Sequence, residues 1–416
     1  MFFSCPPALF CAVATQDVTP LHAALLELAA KSEALALTLT EKNERVLLLA
    51  RCGAIRKYAG DNAGAAARAA EAKALIPTFN TNEDGALDHA KLAIALYKAG
   101  DTEGAAVQFA ELKKSAENLA QDSRQFENLK YESLRELAAT YHSAGDDKAA
   151  RTLLREVAPN IKRTDGAASS FFILTVYNLA DYGDPDAAEQ LAPQLGTASS
   201  RATALRKVAL ARKNTNLVQA KTTMRRALGI SLADKDKTPG LLHGHIGAMA
   251  SLGMQAEAKA LTEKLPALFP KKADQDELRQ MRVTCYGALG LFPQAIQLAA
   301  TLPGKKHNAK LSDLMEQAIE QKNEPVLEQL IQKLTILARK DPGLKSDPNG
   351  EAGLTFLFTI FRMGSKLKQG KLTETAALLR SIMAQTEKLP SKDAKEKAEL
   401  PLGLAELAIE TTQKKG

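Results

Sequence analysis

Two stretches of the 416-residue sequence decide the fold: YKAGDTEGAAVQFAEL at Tyr97–Leu112 and YHSAGDDKAARTLLREVA at Tyr141–Ala158. In each stretch an apolar run ends in Gly followed by Asp, and an Ala lies five residues after the Gly. Glycine ends a helix in the left-handed conformation that residues with a Cβ resist, and Asp is a good N-cap for the next helix. A small Ala lets two antiparallel helices approach closely. Both stretches therefore predict a helical hairpin.

The Gly and the Ala of this pattern recur along the chain, often with Asp after the Gly. The six copies are Gly60 with Ala65, Gly100 with Ala105, Gly145 with Ala150, Gly183 with Ala188, Gly253 with Ala258, and Gly290 with Ala295. Weaker turns are predicted at Asn214, Asn323 and Gly370, so that turns recur every 31 to 47 residues. Such an interval indicates a solenoid, and runs with strand periodicity are lacking. We therefore predict an all-α fold, an α-solenoid of about 20 antiparallel helices in a right-handed superhelix.

The two stretches resemble the tetratricopeptide repeat family. Tyr141 matches the family's aromatic residue four positions before the loop glycine, and Phe109 matches the aromatic nine positions after it. Gly53 matches the small residue seven positions before the glycine, and Pro77 the closing proline. The resemblance implies a non-catalytic scaffold or adaptor that binds peptides or partner proteins through a concave helical-repeat surface.

Candidate partner-binding residues follow from the register of these turns. If Asn214 stands in for the turn glycine, Arg201 and Arg212 occupy positions that line the concave groove in this family, whereas Lys221 and Arg225 share a face of the next helix. The full set of candidates is Tyr97, Lys98, Arg135, His142, Arg201, Arg212, Lys221 and Arg225. Small groove residues such as Ala90, Ala139 and Gly247 either leave room for a peptide or serve tight helix packing.

The net charge of +7 is concentrated in one part of the chain. Residues 190–233 contain eight basic residues and no acidic one. These side chains either form solvated faces or anchor acidic side chains, a C-terminal carboxylate or a polyanion. Polyanion or nucleic-acid binding is the alternative function, and it is disfavoured because this stretch has no aromatic residues on which bases could stack.

Signs of catalysis are absent from the sequence. There is no GxSxG, Walker A, GxGxxG, HExxH or EF-hand pattern. His243 and His245 supply only two possible metal ligands, and Cys52 and Cys285 are expected to be free, buried thiols. We predict no enzyme activity, no cofactor and no metal site, and an enzyme built on a helical toroid remains the third alternative.

The expected domain organisation has three parts. Residues 1–14 form a possible signal peptide with a small-x-small ending at Ala12–Ala14. Residues 15–340 form the solenoid, and residues 351–416 form a C-terminal helical cap beyond a linker, DPGLKSDPNG, at 341–350. Cleavage before Thr15 would place the protein outside the cytoplasm, and a cytoplasmic location is the alternative. No transmembrane segment is predicted after the leader.

Overall fold

The computed structural model describes residues 18–75, 85–118, 127–161, 166–271, 275–338 and 350–388, and the residue pairs 402–403, 405–406 and 408–409. Residues 18–388 of this described part form nineteen α-helices and two short 3₁₀ turns, and they contain no strand. The all-α solenoid predicted from the sequence is confirmed. The predicted leader at 1–14 and the linker residues 341–349 lie outside the described residues.

The helices run, in chain order, as α1 (Thr19–Ala36), α2 (Lys42–Tyr58), α3 (Asn62–Leu75), α4 (Gly85–Ala99), α5 (Thr102–Asn118), α6 (Glu127–Ala144), α7 (Asp147–Val157), α8 (Gly166–Asp181), α9 (Pro185–Leu191), α10 (Ala198–Ala211), α11 (Leu217–Ala233), α12 (Pro239–Ser251), α13 (Gln255–Leu268), α14 (Gln275–Ala288), α15 (Phe292–Ala299), α16 (Gly304–Glu320), α17 (Glu324–Ala338), α18 (Gly350–Gln369) and α19 (Leu372–Lys388). The 3₁₀ turns, Ala158–Asn160 and Ala192–Gln194, extend α7 and α9.

Helices α2 to α19 form nine hairpins, and the hairpins stack. The first helix of each hairpin packs on its own partner and on the first helix of the next hairpin, from α2 through to α18. The even-numbered helices therefore form a continuous inner layer, and the odd-numbered helices α3 to α19 form an outer layer against it. This two-layer stack is what a helical-repeat protein builds when hairpins cannot bury their apolar faces alone.

The predicted turns have the predicted geometry. Gly60, Gly100, Gly145, Gly183, Gly253, Gly290 and Gly370 have φ between 69° and 99°, and Gly145 has the largest value. Asp61, Asp101, Asp146 and Asp184 each accept a hydrogen bond from the backbone N–H three residues later, at 2.8 to 3.3 Å. The six alanines of the pattern are fully buried. The local pattern therefore fixes the hairpins.

Two turns without glycine are built differently from expectation. The backbone N–H of Lys213 bonds to the carbonyl of Leu210, the bond that the turn glycines make elsewhere, so Lys213 and not Asn214 holds the turn position. Similarly, Lys322 takes the left-handed conformation at φ 56°, and Asn323 caps α17 by accepting from the N–H of Val326 at 3.3 Å. The register of α10 is therefore one residue earlier than predicted.

The two ends of the stack meet. α1 packs on α2 on one side and on α19 on the other. Arg380 of α19 forms a bidentate ion pair with Glu27 of α1 at 2.7 and 2.8 Å. Arg51 of α2 pairs in the same way with Glu406, at 2.8 and 2.9 Å. The described helices of the unit predicted as a cap, α18 and α19, thus lie between α16 and α1.

The apolar core runs around this stack. One cluster of buried side chains joins α1 to α14 with α18, α19 and the residues near 405, and a second joins α14 to α18. None of the helices in the described part of the chain combines the length and hydropathy that a bilayer-spanning segment needs.

Candidate functional site

The candidate surface is the side of the even-numbered helices that faces away from the outer layer; we call it the inner surface. In α4 and α6 the predicted candidates lie on the helices as expected, and Tyr97, Lys98 and Arg135 are half-buried. Tyr97 packs against the core. Arg135 forms an ion pair with Glu136, and its buried Nε has no hydrogen-bond partner. These residues therefore belong to a semi-buried surface rather than to a fully solvated one.

His142, also predicted, lies at the junction between two hairpins. Its Nδ1 is 2.5 Å from Asp147 Oδ1, and its ring stacks on Tyr182 with centroids 4.0 Å apart. Burial raises the pKa of Tyr182 to about 12, so this phenol is neutral at physiological pH. His142 itself remains exposed and is available for contact.

The structure places Arg201 and Arg212 differently from the sequence prediction. Arg201 Nη1 donates to the carbonyl of Leu195 at 2.9 Å, which ties the side chain to the preceding turn. Arg212 is 5% exposed and is held by Asp186 and Glu189 of α9. The groove assignment assumed Asn214 as the turn residue, and the true register puts Arg212 at the C-cap of α10. Arg212 therefore joins two hairpins instead of facing a partner.

Lys221 and Arg225 lie on α11, which belongs to the outer layer. Arg225 forms a bidentate ion pair with Glu257 of α13, at 2.8 and 3.2 Å. Its neighbour Arg226 pairs with Glu189. The hydrogen bond from Arg225, with a smaller contribution from the charge of Lys221, lowers the pKa of Glu257. Acidic residues of adjacent hairpins thus neutralise much of the positive charge of residues 190–233. The sequence alone did not show this, because the ion-pair partners lie far apart along the chain.

The inner surface of α8, α10 and α12 holds a group of side chains that the sequence prediction missed. We call Tyr177, Arg206, Lys207 and His243 the Arg206 cluster. Lys207 Nζ lies 5.7 Å from the centroid of the Tyr177 ring and 2.5 Å from Asp181 Oδ2. The Tyr177 hydroxyl donates to the carbonyl of Ser200 at 3.3 Å. The cluster therefore links three neighbouring inner helices.

Arg206 is the unusual member of the cluster. Its Nη1 lies 1.5 Å from where a Cβ of Gly244 would be, so the guanidinium fills the space that this glycine leaves. Within the described residues no carboxylate pairs with Arg206. Burial lowers its pKa, and burial together with the charges of Lys310 and Arg206 lowers the pKa of His243. The sequence shows Arg206 and the HGH stretch at 243–245 as two separate features. Their proximity becomes predictable only with the corrected register of α10.

Groups with possible catalytic chemistry lie elsewhere. His245 Nε2 is 2.6 Å from Ser231 Oγ, but both residues are fully buried, and the His245 Nδ1 has no partner. Burial raises the pKa of Cys52 and Cys285 to about 12, and both are free and buried, as predicted. Among the described residues no group of three or more His, Cys, Asp or Glu side chains is arranged to hold a metal ion.

Two pockets lie away from the inner surface. One, of about 290 Å³, lies between α17, α18 and α19 and is lined by the ion-paired Glu328, Arg362 and Lys366. The other, of about 330 Å³, lies between α5, α6 and α7 beside Tyr141. Neither pocket is lined by a predicted candidate residue.

No protein-family model matches the chain, and neither does any curated protein. Among solved structures, the chain is similar to the human IFIT1 dimer with m7Gppp-AAAA, at 15% identity over 96% of this chain and 95% of that one, with a TM-score of 0.31. It is also similar to a monomeric mutant of IFIT1 with Gppp-AAAA, at 14% identity over 97% and 96% of the two chains, with a TM-score of 0.31.

Proposed function

We propose that this protein is a non-catalytic scaffold of the tetratricopeptide type that binds an extended segment of a partner protein along the inner surface from α4 to α12. The observation that supports this most is the half-buried Arg206 guanidinium, which forms no ion pair among the described residues, although the charge of Asp181, the partner of Lys207, acts on it. A partly buried charge that lacks a close ion pair is unfavourable. A partner's carboxylate, from an acidic side chain or a chain end, would complete it through charge-assisted hydrogen bonds.

The surroundings of Arg206 suit a peptide. Tyr97 and Tyr177 are half-buried on the inner surface, and amphipathic rings of this kind are common anchors in interfaces. Gly247 has nothing within 4 Å of the place where a Cβ would be, so the surface is open there. The small residues of the groove therefore leave room rather than serve packing at this position. Tyr97, Lys98, Arg135 and His142 extend the same surface toward α4.

A charge reversal at Arg206 tests the proposal. Arg206→Glu should reduce capture of partner proteins from the source cells at least tenfold, since an attraction becomes a repulsion at a partly desolvated site. Arg225→Glu on the outer layer is the matched control, because it makes the same change of charge outside the inner surface. Circular dichroism of both variants checks that the helices are retained. Equal capture by the two variants would contradict the proposal.

Polyanion binding through residues 190–233 is the alternative, and the ion pairs of Lys207, Arg212, Arg225 and Arg226 weaken its support. Phosphate contacts made by the remaining basic groups would give sequence-independent binding that falls with salt. A titration with single-stranded and duplex oligonucleotides at low salt distinguishes the two functions. Tight binding that Lys213→Gln and Lys221→Gln together abolish would favour the polyanion function.

A further inference from the structure

The helix α1 and the C-terminal residues near 405 occupy complementary places in the stack. Elsewhere, each outer helix packs on the inner helix of the next hairpin, as α5 does on α6 and α9 on α10. The outer helix α19 packs in this way on α1, and α1 packs on α2 as successive inner helices do. α1 therefore takes the place of an inner helix, and the outer helix of its unit must come from another part of the chain.

The described residues between 402 and 409 are the candidates for that place. They are helical, and Leu402, Ala405 and Ala408 are fully buried in the large apolar cluster that also contains residues of α1 to α14, α18 and α19. Their spacing puts the three side chains on one face of a helix. Glu406 reaches forward to Arg51 on α2, just as an outer helix contacts the inner helix of the following unit.

We propose that the described residues between 402 and 409 act as a latch: they bind the helix-receiving site formed by α1 and α2 and complete a tenth unit shared between the first and last described helices. The kind of partner that fits this site is a short helix with small or aliphatic residues at positions i, i+3 and i+6 and a carboxylate at i+4. The occupant is the chain's own C-terminal segment. In an open stack of helical repeats a separate capping unit covers such a face.

The charges at the seam make the latch releasable. The other junctions between units follow one another along the chain, whereas this one joins residues separated by 353 and 355 positions in sequence. Glu27 and Arg380 are 49% and 42% exposed, and Arg51 and Glu406 are 24% and 33% exposed. Ion pairs as accessible as these are screened by salt. The latch therefore opens more readily than the rest of the stack.

Cysteine labelling of the full-length chain tests the latch. Cys52 on α2 is fully buried near Glu33 of α1, and Cys285 on α14 is equally buried but far from the seam. With Cys5→Ser and Cys11→Ser in every variant, the ratio of the Cys52 to the Cys285 maleimide rates reports opening of the seam. Glu406→Arg, which places two cations together, should raise this ratio roughly tenfold.

The controls separate opening of the latch from general loss of structure. Glu328→Arg breaks a comparable bidentate pair with Arg362 between α17 and α18 and should leave the ratio within twofold of wild type. Arg51→Glu should open the seam, and adding Glu406→Arg to it should close it again. The single variant Arg51→Glu and the double variant both carry Glu at position 51, beside Cys52. The difference between their labelling ratios therefore reports closure of the seam alone.

Hydrogen exchange gives a second measure that does not depend on the thiols. In Glu406→Arg the amides of α1 should exchange roughly tenfold faster than in wild type, while those of α14 stay unchanged. The proposal is overturned if α1 is unaffected, if α1 and α14 accelerate together, or if the exchanged pair fails to restore the protection of α1.

Discussion

Arg212 at the end of α10 is bound by Asp186 near the start of α9, with Nη2 and Oδ1 2.5 Å apart. Glu189 of α9 accepts a second hydrogen bond from Arg212 and a third from Arg226 of α11. One guanidinium that is nearly buried thus connects two successive hairpins. We therefore assign Arg212 to stability.

The first prediction follows from this connection. Arg212→Ala should lower the free energy of unfolding by about 2 kcal/mol, because it removes charge-assisted hydrogen bonds from a largely buried site. Arg225→Ala, which breaks a more exposed pair with Glu257, should lower it by less than about 1 kcal/mol. Urea denaturation followed by helical circular dichroism compares the two. Equal losses of unfolding free energy would show that burial does not determine how much each of these ion pairs contributes to stability.

The second prediction concerns the packing of α14 on α16. A Cβ at Gly287 would lie 1.8 Å from Gln317 Oε1 and 2.5 Å from Leu314 Cδ2. Gln317 cannot easily move away, since its Nε2 donates to the carbonyl of Thr284 at 3.0 Å. Gly287→Ala should therefore lower the free energy of unfolding by about 2 kcal/mol.

Gly247→Ala is the matched control for this prediction. Gly247 also lies within an inner helix, but a Cβ there would meet nothing within 4 Å. Alanine is the better helix former, so this substitution should raise the free energy of unfolding by roughly 0.5 to 1 kcal/mol. Opposite signs for the two substitutions in one denaturation assay are the expected result, and matching signs would contradict it.

The third prediction concerns Lys322, which holds the position of the turn glycine between α16 and α17. Lys322 adopts φ 56°, which an L-residue with a Cβ takes only at a cost. Lys322→Gly should therefore raise the free energy of unfolding by roughly 0.5 to 1 kcal/mol. Gly145→Ala, at φ 99° and with nothing near the new Cβ, should lower it by about 1 kcal/mol or more. Differential scanning calorimetry tests both; a loss of stability in Lys322→Gly would contradict the account of this turn.

The hairpins were predictable because their signals are local. Each turn glycine and its buried Ala lie within six residues, with a capping Asp between them in four of the six copies, and the backbone chemistry of these residues determines the turn almost alone. The stacking of Phe109 on Tyr141, at 4.1 Å between centroids, also joins two residues that the sequence pattern had singled out. The structure differs from the prediction at the two turns without glycine, at Lys213 and Lys322, since no glycine there fixed the register.

The surroundings of the basic residues could not be predicted in the same way. The partners of Arg212 and Arg225 lie 23 to 32 residues away, on adjacent hairpins. Which face of α11 meets α13 depends on the angle between hairpins, and the repeat pattern does not encode that angle. The packing of α1 on α19 depends on the sum of all these angles, so the contact between the two ends of the stack could not be predicted from the sequence.

The fourth prediction concerns pH. His245 is fully buried, and burial lowers its pKa from 6.5 to about 4, with a smaller contribution from the charge of Arg206. Between pH 6.5 and 4 the unfolded chain therefore binds a proton that the folded chain does not, and stability falls as the pH falls through this window. A shift of this size corresponds to about 3 kcal/mol. In His245→Gln, the decrease in the free energy of unfolding from pH 7 to pH 4.5 should be smaller than in wild type by roughly 2 to 3 kcal/mol.

Ser231→Ala is the control: it removes the hydrogen bond to the His245 ring at 2.6 Å but keeps the titrating group. This variant should retain the pH dependence of wild type while being less stable at every pH. Urea denaturation at both pH values measures all three proteins, and parallel pH profiles for wild type and His245→Gln would show that another buried group carries the effect.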